Sequence, residues 1–239
     1  AKLAGVSPTT VSRVINKKGY LSEKTIQKVQ EAMRELGYKP NNVARSLQGK
    51  SAKLVGLIFP NISNVFYAEL IDKLEHQLFK HGYKTIICNS EHDSEKEREY
   101  IEMLEANQVD GIISGSHNLG IEDYNRVTAP IIAFDRNLSP EIPVVSSDNY
   151  AGGGLAAETL VKTGARKIIM ITGNDNSNSP TGLRHAGFAS VLPESMIINV
   201  SSDFSPIRKE MEIKQILTHH KPDAIFASDD LTAILIMKV

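Results

Sequence analysis

Residues 5–16 read GVSPTTVSRVIN, and this stretch decides how the first part of the chain folds. Ser7 followed by Pro8 is typical of a helix start, because Ser is a favoured N-cap and Pro is tolerated at the first helical position. The apolar residues of VSRVI then recur at helical spacing and share one face. With the tight turn at Gly5 ahead of it, the stretch predicts the second helix of a helix-turn-helix layout.

A further helix is predicted from Ser22, its N-cap, to the stop at Gly37. Four apolar residues at spacings of three and four form its expected buried stripe: Ile26, Val29, Met33 and Leu36. The chain therefore begins with a small all-α module over residues 1–39, in which the turn at residues 4–6 follows what reads as the end of an earlier helix.

Charge separates this module from the rest of the chain. Residues 1–50 carry ten Lys or Arg and three Glu, a formal charge of +7, whereas the whole chain carries −1. A basic head on an acidic body is typical of a module that binds a polyanion. The outer face of the predicted helix offers hydroxyls and a single Arg, which suit phosphates and guanine edges. Double-stranded DNA is the predicted partner, and a generic three-helix bundle with a solvated face is the alternative.

The head resembles the DNA-binding domain of the LacI/GalR family of bacterial repressors. The segments AGVS (4–7), TVSR (10–13), GYKPN (37–41) and ARSL (44–47) carry the resemblance. It implies that Pro8, Thr9 and Arg13 face base edges of a palindromic operator. It also implies phosphate contacts from the polar residues Ser7, Thr10, Ser12, Asn16 and Ser22.

Residues 40–50, PNNVARSLQGK, are predicted to be a hinge between the head and the body. A segment this short does not hold a helix alone in water. The resemblance implies that two hinges pair in a homodimer, or a higher oligomer, and fold on DNA through residues including Asn41, Ala44 and Leu47. Leu47 would then wedge into the minor groove and kink the duplex. A plain flexible linker is the alternative.

Beyond residue 50 the hydrophobic period changes, because short apolar runs now alternate with helical patterns. The predicted strands are LVGLIFP (54–60), KTIICNS (84–90), VDGIISGS (109–116), PIIAFDR (130–136), KIIMITG (167–173), MIINVSS (196–202) and DAIFASDD (223–230). Such alternation favours a parallel sheet with helices on both faces. We predict two doubly wound lobes, residues 51–145 and 146–239, the second incomplete in this chain.

Ligands of open α/β sheets bind beyond the carboxyl ends of the strands. Applied to the predicted strands, this rule places four polar residues around a cleft: Asp135, Arg184, Ser228 and Asp229. Phe66 and Tyr67 would add flat apolar surfaces. Such a set suits a polyhydroxylated ligand such as a sugar. Alternatively, Asp135 and Asp229 cap helices or form surface ion pairs.

The body resembles the effector-binding core of the same family, which is similar to periplasmic sugar-binding proteins. NVFYAEL (64–70), AFDR (133–136), GLRHAGF (182–188) and ASDDLTA (227–233) carry this resemblance. It implies ligand contacts at Phe66, Asp135, Arg184 and Ser228, although Asn is more usual in the family at position 228. The closest likeness is to family members that regulate sucrose operons, which implies sucrose, fructose or a phosphorylated form as effector.

The sequence gives less support to other classes of function. The seven His residues are scattered without a paired nucleophile or metal-ligand spacing, so neither an enzyme, a metal site nor a cofactor is predicted. A single Cys, no apolar run of about 18 residues and no signal peptide favour a cytoplasmic protein that does not span a membrane. A regulator controlled by a phosphocarrier protein remains open, as does a sugar receptor, although the receptor needs no basic head.

Overall fold

In a computed structural model, the structure describes residues 1–16, 18–38, 51–173, 179–201 and 204–239. The hinge predicted at 40–50, with Asn41, Ala44 and Leu47, lies outside the described residues. In the part of the chain that is described, no helix is both long and apolar enough to cross a bilayer.

The head contains two described helices, α1 (Pro8–Ile15) and α2 (Glu23–Glu35). Both begin as the sequence predicts, with the Ser7 hydroxyl accepting the Thr10 N–H at 3.1 Å and the Ser22 hydroxyl accepting the Thr25 N–H at 3.3 Å. The helices share one small apolar core, in which Ala4, Val29 and Ala32 are buried and Val6, Val11, Val14 and Met33 pack against them.

Leu36 was expected in this core and is instead 66% exposed. The helix ends at Glu35, and the chain reverses at Gly37, whose φ is +58°. The Tyr38 N–H donates to the Met33 carbonyl at 2.9 Å and the Gly37 N–H to the Arg34 carbonyl at 3.1 Å, a Schellman motif. The reversal carries Leu36 off the apolar stripe.

The body contains two separate parallel sheets. The first has the strand order β2-β1-β3-β4-β5 and consists of β1 (Leu54–Phe59), β2 (Lys84–Asn89), β3 (Gly111–Ser114), β4 (Ile131–Phe134) and β5 (Val144–Val145). Its helices are α3 (Val65–Lys80), α4 (Ser94–Ala106) and α5 (Ile121–Asn125). The predicted strands are all present but shorter at their ends, and β5 and α5 carry too little periodicity to be predicted.

The second sheet has the order β7-β6-β8, with β6 (Ile168–Thr172), β7 (Met196–Asn199) and β8 (Ala224–Ala227). Its helices are α6 (Asn149–Lys162), α7 (Pro180–Val191), α8 (Pro206–His220) and α9 (Asp230–Lys238). Every strand pairing in both sheets is parallel, as the alternating pattern predicts.

Each sheet has an apolar layer on both faces. In β1, Leu57 and Phe59 pack toward α3 with Ile71, whereas Ile58 packs on the opposite face with Leu104 of α4. In the second sheet, Met170 packs with Ala157 and Phe188 of α6 and α7, and Ile171 packs on the other face with Ile213 of α8. This two-sided burial explains the near-continuous apolar runs of the strands.

The two sheets share a hydrogen-bonding pattern at the amino-terminal ends of their strands. The Asp110 carboxylate, ahead of β3, accepts the Leu54 N–H at 3.1 Å and the Ser51 hydroxyl at 2.8 Å. The Asp223 carboxylate, ahead of β8, accepts the Arg166 and Lys167 N–H groups at 2.9 and 2.8 Å. These backbone hydrogen bonds lower the pKa of Asp223. One Asp thus ties two neighbouring strands together at the amino edge of each sheet, opposite the edge where a ligand is expected.

Candidate functional site

The predicted DNA-contacting residues lie along α1 and at the two helix starts. Pro8, Thr9, Ser12 and Arg13 are exposed, and α1 carries no acidic residue in its first turn. A helix with a cationic, hydroxyl-rich outer face and an apolar inner face can lie in a major groove while the core supports it from behind.

Several of these polar side chains also have a local partner. Ser7 and Ser22 cap α1 and α2, and their hydroxyls lie 2.9 and 2.8 Å from the hydroxyls of Thr10 and Thr25. The Asn16 amide donates to the Ser12 carbonyl at 2.7 Å, closing the last turn of α1. The bonds of Ser7 and Asn16 fix the two ends of α1, and the phosphate contacts predicted for these residues stay predictions.

Three of the predicted effector residues, Asp135, Arg184 and Ser228, belong to one network where the carboxyl ends of β4 and β8 approach α7. Arg184 donates from Nη1 to the Ser228 carbonyl at 2.7 Å and from Nε to Oδ1 of Asn149 at 2.9 Å. Nδ2 of Asn149 in turn lies 3.3 Å from Oδ1 of Asp135. A carboxylate from the first sheet and a guanidinium from the second are thereby brought to one hydrogen-bonded network.

Asp135 holds its position by backbone geometry. Its φ is +64°, in the left-handed region that Asp tolerates better than most residues. Its N–H donates to the Val145 carbonyl at 2.9 Å, and the next N–H, of Arg136, turns back to the Phe134 carbonyl at 2.8 Å. The sharp turn at the end of β4 thus fixes Asp135 at the carboxyl edge of the first sheet, next to β5.

Four aromatic rings lie beside this edge of the first sheet. The Tyr67 ring centroid is 5.6 Å from that of Phe59 and 5.3 Å from that of Phe66, and the Phe66 and Phe134 rings are 5.9 Å apart. Phe59 is buried, whereas Phe66 is 51% exposed. Burial raises the pKa of the Tyr67 phenol. An exposed ring that packs on two half-buried rings, Tyr67 and Phe134, is a surface on which the apolar face of a sugar can pack.

Ser228 and Asp229 are placed differently from one another. Ser228 is buried, and its hydroxyl donates to Oδ2 of Asp229 at 3.3 Å. The Asp229 carboxylate accepts the Thr232 N–H at 2.9 Å and the Thr232 hydroxyl at 2.8 Å, which makes it the N-cap of α9. The capping alternative therefore describes Asp229 in this structure, and its contact with a ligand stays a prediction.

Comparison with known proteins identifies the family. The profile described as "Bacterial regulatory proteins, lacI family" matches residues 1–41, and that of "Periplasmic binding proteins and sugar binding domain of LacI family" matches residues 52–239. The chain belongs to the LacI family. The fold class and the family resemblance predicted from the sequence are both confirmed.

Relatives of this LacI-family chain include two sucrose operon repressors. That of Streptococcus mutans serotype c is 72% identical over 239 residues, which are 100% of this chain and 75% of the relative. That of Lactococcus lactis subsp. lactis is 56% identical over 240 residues, 99% of this chain and 76% of the relative. The likeness to sucrose operon repressors noted in the sequence is thus confirmed over the full chain.

Two solved structures of LacI-family regulators are similar to this chain. The Lac repressor dimer bound to operator and the anti-inducer ONPF is 26% identical, with a TM-score of 0.82 over 100% of this chain and 74% of that one. A LacI-type regulator from Alkaliphilus metalliredigens QYMF, complexed with D-xylulofuranose, is 31% identical, with a TM-score of 0.67 over 78% of this chain and 71% of that one.

Sequence reasoning missed three residues of this LacI-family chain. Asn149 ends the polar stretch SSDN (146–149), from which the sequence analysis takes no site residue. Glu97 lies within the predicted helix that is α4, and His117 follows the predicted strand that is β3. Neither stands in a motif or spacing that would indicate a functional residue. Glu97 is completely buried and accepts the Asn118 N–H at 3.0 Å, the Asn118 amide at 2.8 Å and the Tyr124 hydroxyl. These bonds anchor the loop after β3.

His117 lies in that anchored loop at the carboxyl edge of the first sheet. Its Nδ1 is buried and has no hydrogen-bond partner among the described residues. Burial, with Arg136 second, lowers the pKa of His117 to about 4. The imidazole is therefore neutral at physiological pH and adds no positive charge to that of Arg136.

This depressed pKa predicts acid sensitivity. Between pH 6.5 and about 4 the unfolded state binds a proton that the folded imidazole refuses, so the free energy of unfolding falls as the pH falls. His117→Gln is expected to lose less stability between pH 7 and 5 than the wild type, measured by urea denaturation. His76→Gln, on the exposed surface of α3, is the control and should keep the wild-type difference. An identical pH response in His117→Gln would contradict the assignment.

Proposed function

We propose that the chain is a sequence-specific DNA-binding repressor of a sugar-utilisation operon, controlled by a small sugar bound between its two lobes. Sucrose operon repressors with up to 72% identity support both the class and the sugar. In this proposal residues 1–39 bind DNA, 40–50 form the hinge, and 51–145 and 146–239 form the lobes. The protein acts in the cytoplasm and does no chemistry on its ligand.

The network of Asp135, Asn149 and Arg184 is the observation that carries the effector site. A carboxylate and a guanidinium can together bind several hydroxyls of one sugar, since the first accepts and the second donates hydrogen bonds. Phe66 supplies the exposed apolar surface beside them. Arg184 and Ser228 come from one lobe and Asp135 and Phe66 from the other, so a ligand that contacts both would favour one relative arrangement of the lobes.

The partners of the proposed repressor are palindromic operator DNA and a second copy of the chain. The Lac repressor structure is a dimer bound to operator, and a two-fold symmetric dimer matches a palindromic site with one head on each half. The effector is sucrose, fructose or a phosphate of either.

The test is fluorescence anisotropy on a labelled palindromic sucrose-operon site at fixed salt concentration. Sucrose, fructose and their phosphates are titrated into the preformed complex. Release, or tighter binding, with one of them supports the proposal and names the effector. Tight operator binding that ignores every sugar would refute sugar control and favour a protein co-regulator instead. Equal affinity for operator and random DNA would refute the repressor function itself.

Arg13→Ala is expected to reduce the preference for operator over random DNA by about tenfold to a hundredfold. A bidentate contact of an Arg with guanine contributes about 1–3 kcal/mol of discrimination. Arg13 is exposed in the last turn of α1, and its guanidinium lies against Gly19, where a Cβ would collide with it. Competition binding with operator and scrambled duplexes measures the effect.

The matched control for this variant is Arg34→Ala. Arg34 is an exposed Arg in the last turn of α2, so its loss removes the same charge from the head but not from α1. It is expected to weaken both duplexes equally and keep the preference. If Arg13→Ala also weakens operator and random DNA equally, Arg13 contacts phosphates and does not read bases.

A further inference from the structure

Asn149 occupies the point where the chain passes from the first sheet to the second. It is the first residue of α6, four residues after β5 ends, and its side chain is buried, with 5% exposure. Burial of a primary amide is unfavourable unless its donors and acceptor find partners. The partners of this amide come from both lobes, which makes Asn149 more than a residue that starts a helix.

The chemistry of its neighbours fixes which way the Asn149 amide faces. Arg184 Nε–H can only donate, so the amide oxygen faces it at 2.9 Å. The carboxylate of Asp135 accepts hydrogen bonds, so the amide nitrogen faces Oδ1 of Asp135 at 3.3 Å and the Ser147 carbonyl at 3.1 Å. One planar group therefore connects an acceptor in the first lobe with a donor in the second.

The two side-chain hydrogen bonds of this bridge join elements that are packed differently. Asn149 and Arg184 belong to α6 and α7, whose backbones touch, since a Cβ on Gly153 would collide with the Arg184 carbonyl. Asp135 belongs to the end of β4 in the first sheet. The bond between Nδ2 of Asn149 and Asp135 is the longer of the two side-chain bonds and is the one that joins separate packing units.

We propose that Asn149 is a positioning residue that couples the two lobes, holding Asp135 toward Arg184 so that a ligand bound to one lobe changes the position of the other. This inference rests on the proposed function for its ligand but not for the bridge itself. Asp at position 149 keeps the shape and the acceptor for Arg184 but places a carboxylate against Asp135. The exchange of both residues restores a donor facing an acceptor.

The experiment compares Asn149→Asp, Asp135→Asn and the double exchange Asp135→Asn with Asn149→Asp in the full chain. Coupling is the ratio of operator affinities without and with saturating sucrose, measured by anisotropy, and isothermal titration gives the sucrose affinity separately. Asn149→Asp is expected to lower the coupling ratio about tenfold, a typical coupling free energy expressed as a ratio. The double exchange should recover most of the ratio, although its sucrose affinity stays reduced because Asp135 is lost.

Asn107→Asp is the control. Asn107 caps the end of α4, where its amide donates to the Met103 carbonyl at 2.8 Å, and it is exposed. The same chemical change there is expected to leave the coupling ratio at the wild-type value. Wild-type coupling in Asn149→Asp, or equal loss in the single and double variants, would overturn the proposal, because a purely structural role predicts no rescue.

A second readout needs no ligand. Hydrogen exchange of the backbone N–H of residue 135, which donates to the Val145 carbonyl, is expected to quicken in Asn149→Asp, because two carboxylates then face each other, and to slow again in the double exchange. Asp135→Asn keeps an amide oxygen that can accept from Asn149, so its exchange should stay near the wild-type rate. If the wild type ignores sucrose while exchange follows this pattern, the sugar assignment fails and the bridge stands. Exchange that is unchanged in all variants would overturn the bridge whatever the sugar does.

Discussion

Gly187→Ala is expected to destabilise the second sheet unit by about 3 kcal/mol, the upper range for forcing extra atoms into a packed contact. A Cβ on Gly187 would collide with the backbone carbonyl of Tyr150 and press on the Gly154 nitrogen. Backbone atoms of a helix cannot move aside as a flexible side chain can, so α6 and α7 would have to separate. The free energy of unfolding from urea denaturation, followed by circular dichroism, measures the loss.

The partner helix α6 provides a matched control. Gly152→Ala meets no atom within 4 Å and has no positive φ, so it is expected to be neutral or to stabilise by up to about 1 kcal/mol through helix propensity. Gly153→Ala, which meets the Arg184 backbone, should behave like Gly187→Ala. Equal stability of the alanine variants at 152 and 187 would show that the helices can part without cost, which contradicts the close contact.

The close contact between α6 and α7 also positions the polar residues of the candidate effector site. Because Gly153 and Gly187 let α6 and α7 approach at the backbone, Arg184 is carried to Asn149 at the start of α6. A wider helix separation would break that bond before it changed the sheet. We therefore expect partly destabilised variants at these glycines to lose the sugar response at temperatures where circular dichroism still reports a folded chain.

Local chemistry explains which parts of the fold the sequence predicts well. The Ser7 and Ser22 caps depend on neighbours within three residues, and both form as expected. The buried strands are marked by apolar runs that both faces of a parallel sheet require. The prediction that Leu36 lies in the core is wrong, because it extends the apolar stripe past the end of α2 and ignores the chain reversal at Gly37.

The candidate site was predictable only as far as strand ends place residues. The rule for parallel sheets brings Asp135 and Arg184 toward one edge, and the structure joins them through Asn149. The bridge itself depends on a close approach of two helices about thirty residues apart in the chain, which no local pattern encodes. Glu97 is similar, since a buried carboxylate looks like an exposed one in a charged helical sequence.

Asp135→Ala is expected to abolish the response to sucrose while the protein still binds operator. In the proposed site its carboxylate accepts hydrogen bonds from sugar hydroxyls, and each hydrogen bond to a charged group contributes about 1.5–3 kcal/mol. Loss of the carboxylate also removes the acceptor for the Asn149 amide. We expect the sucrose affinity to fall about a hundredfold, measured by isothermal titration, with a matching shift in the sucrose concentration that changes operator anisotropy.

Asp72→Ala is the control for this variant. Asp72 lies on α3 with its side chain 74% exposed and only a 3.7 Å pairing with Lys73, so its removal takes away one carboxylate from the same lobe without touching the network. It should keep the wild-type sucrose affinity. A full sucrose response in Asp135→Ala would place the effector elsewhere in the body. A response lost together with operator binding would instead mean that Asp135 supports the fold, because the head that binds DNA shares no described hydrogen bond with this residue.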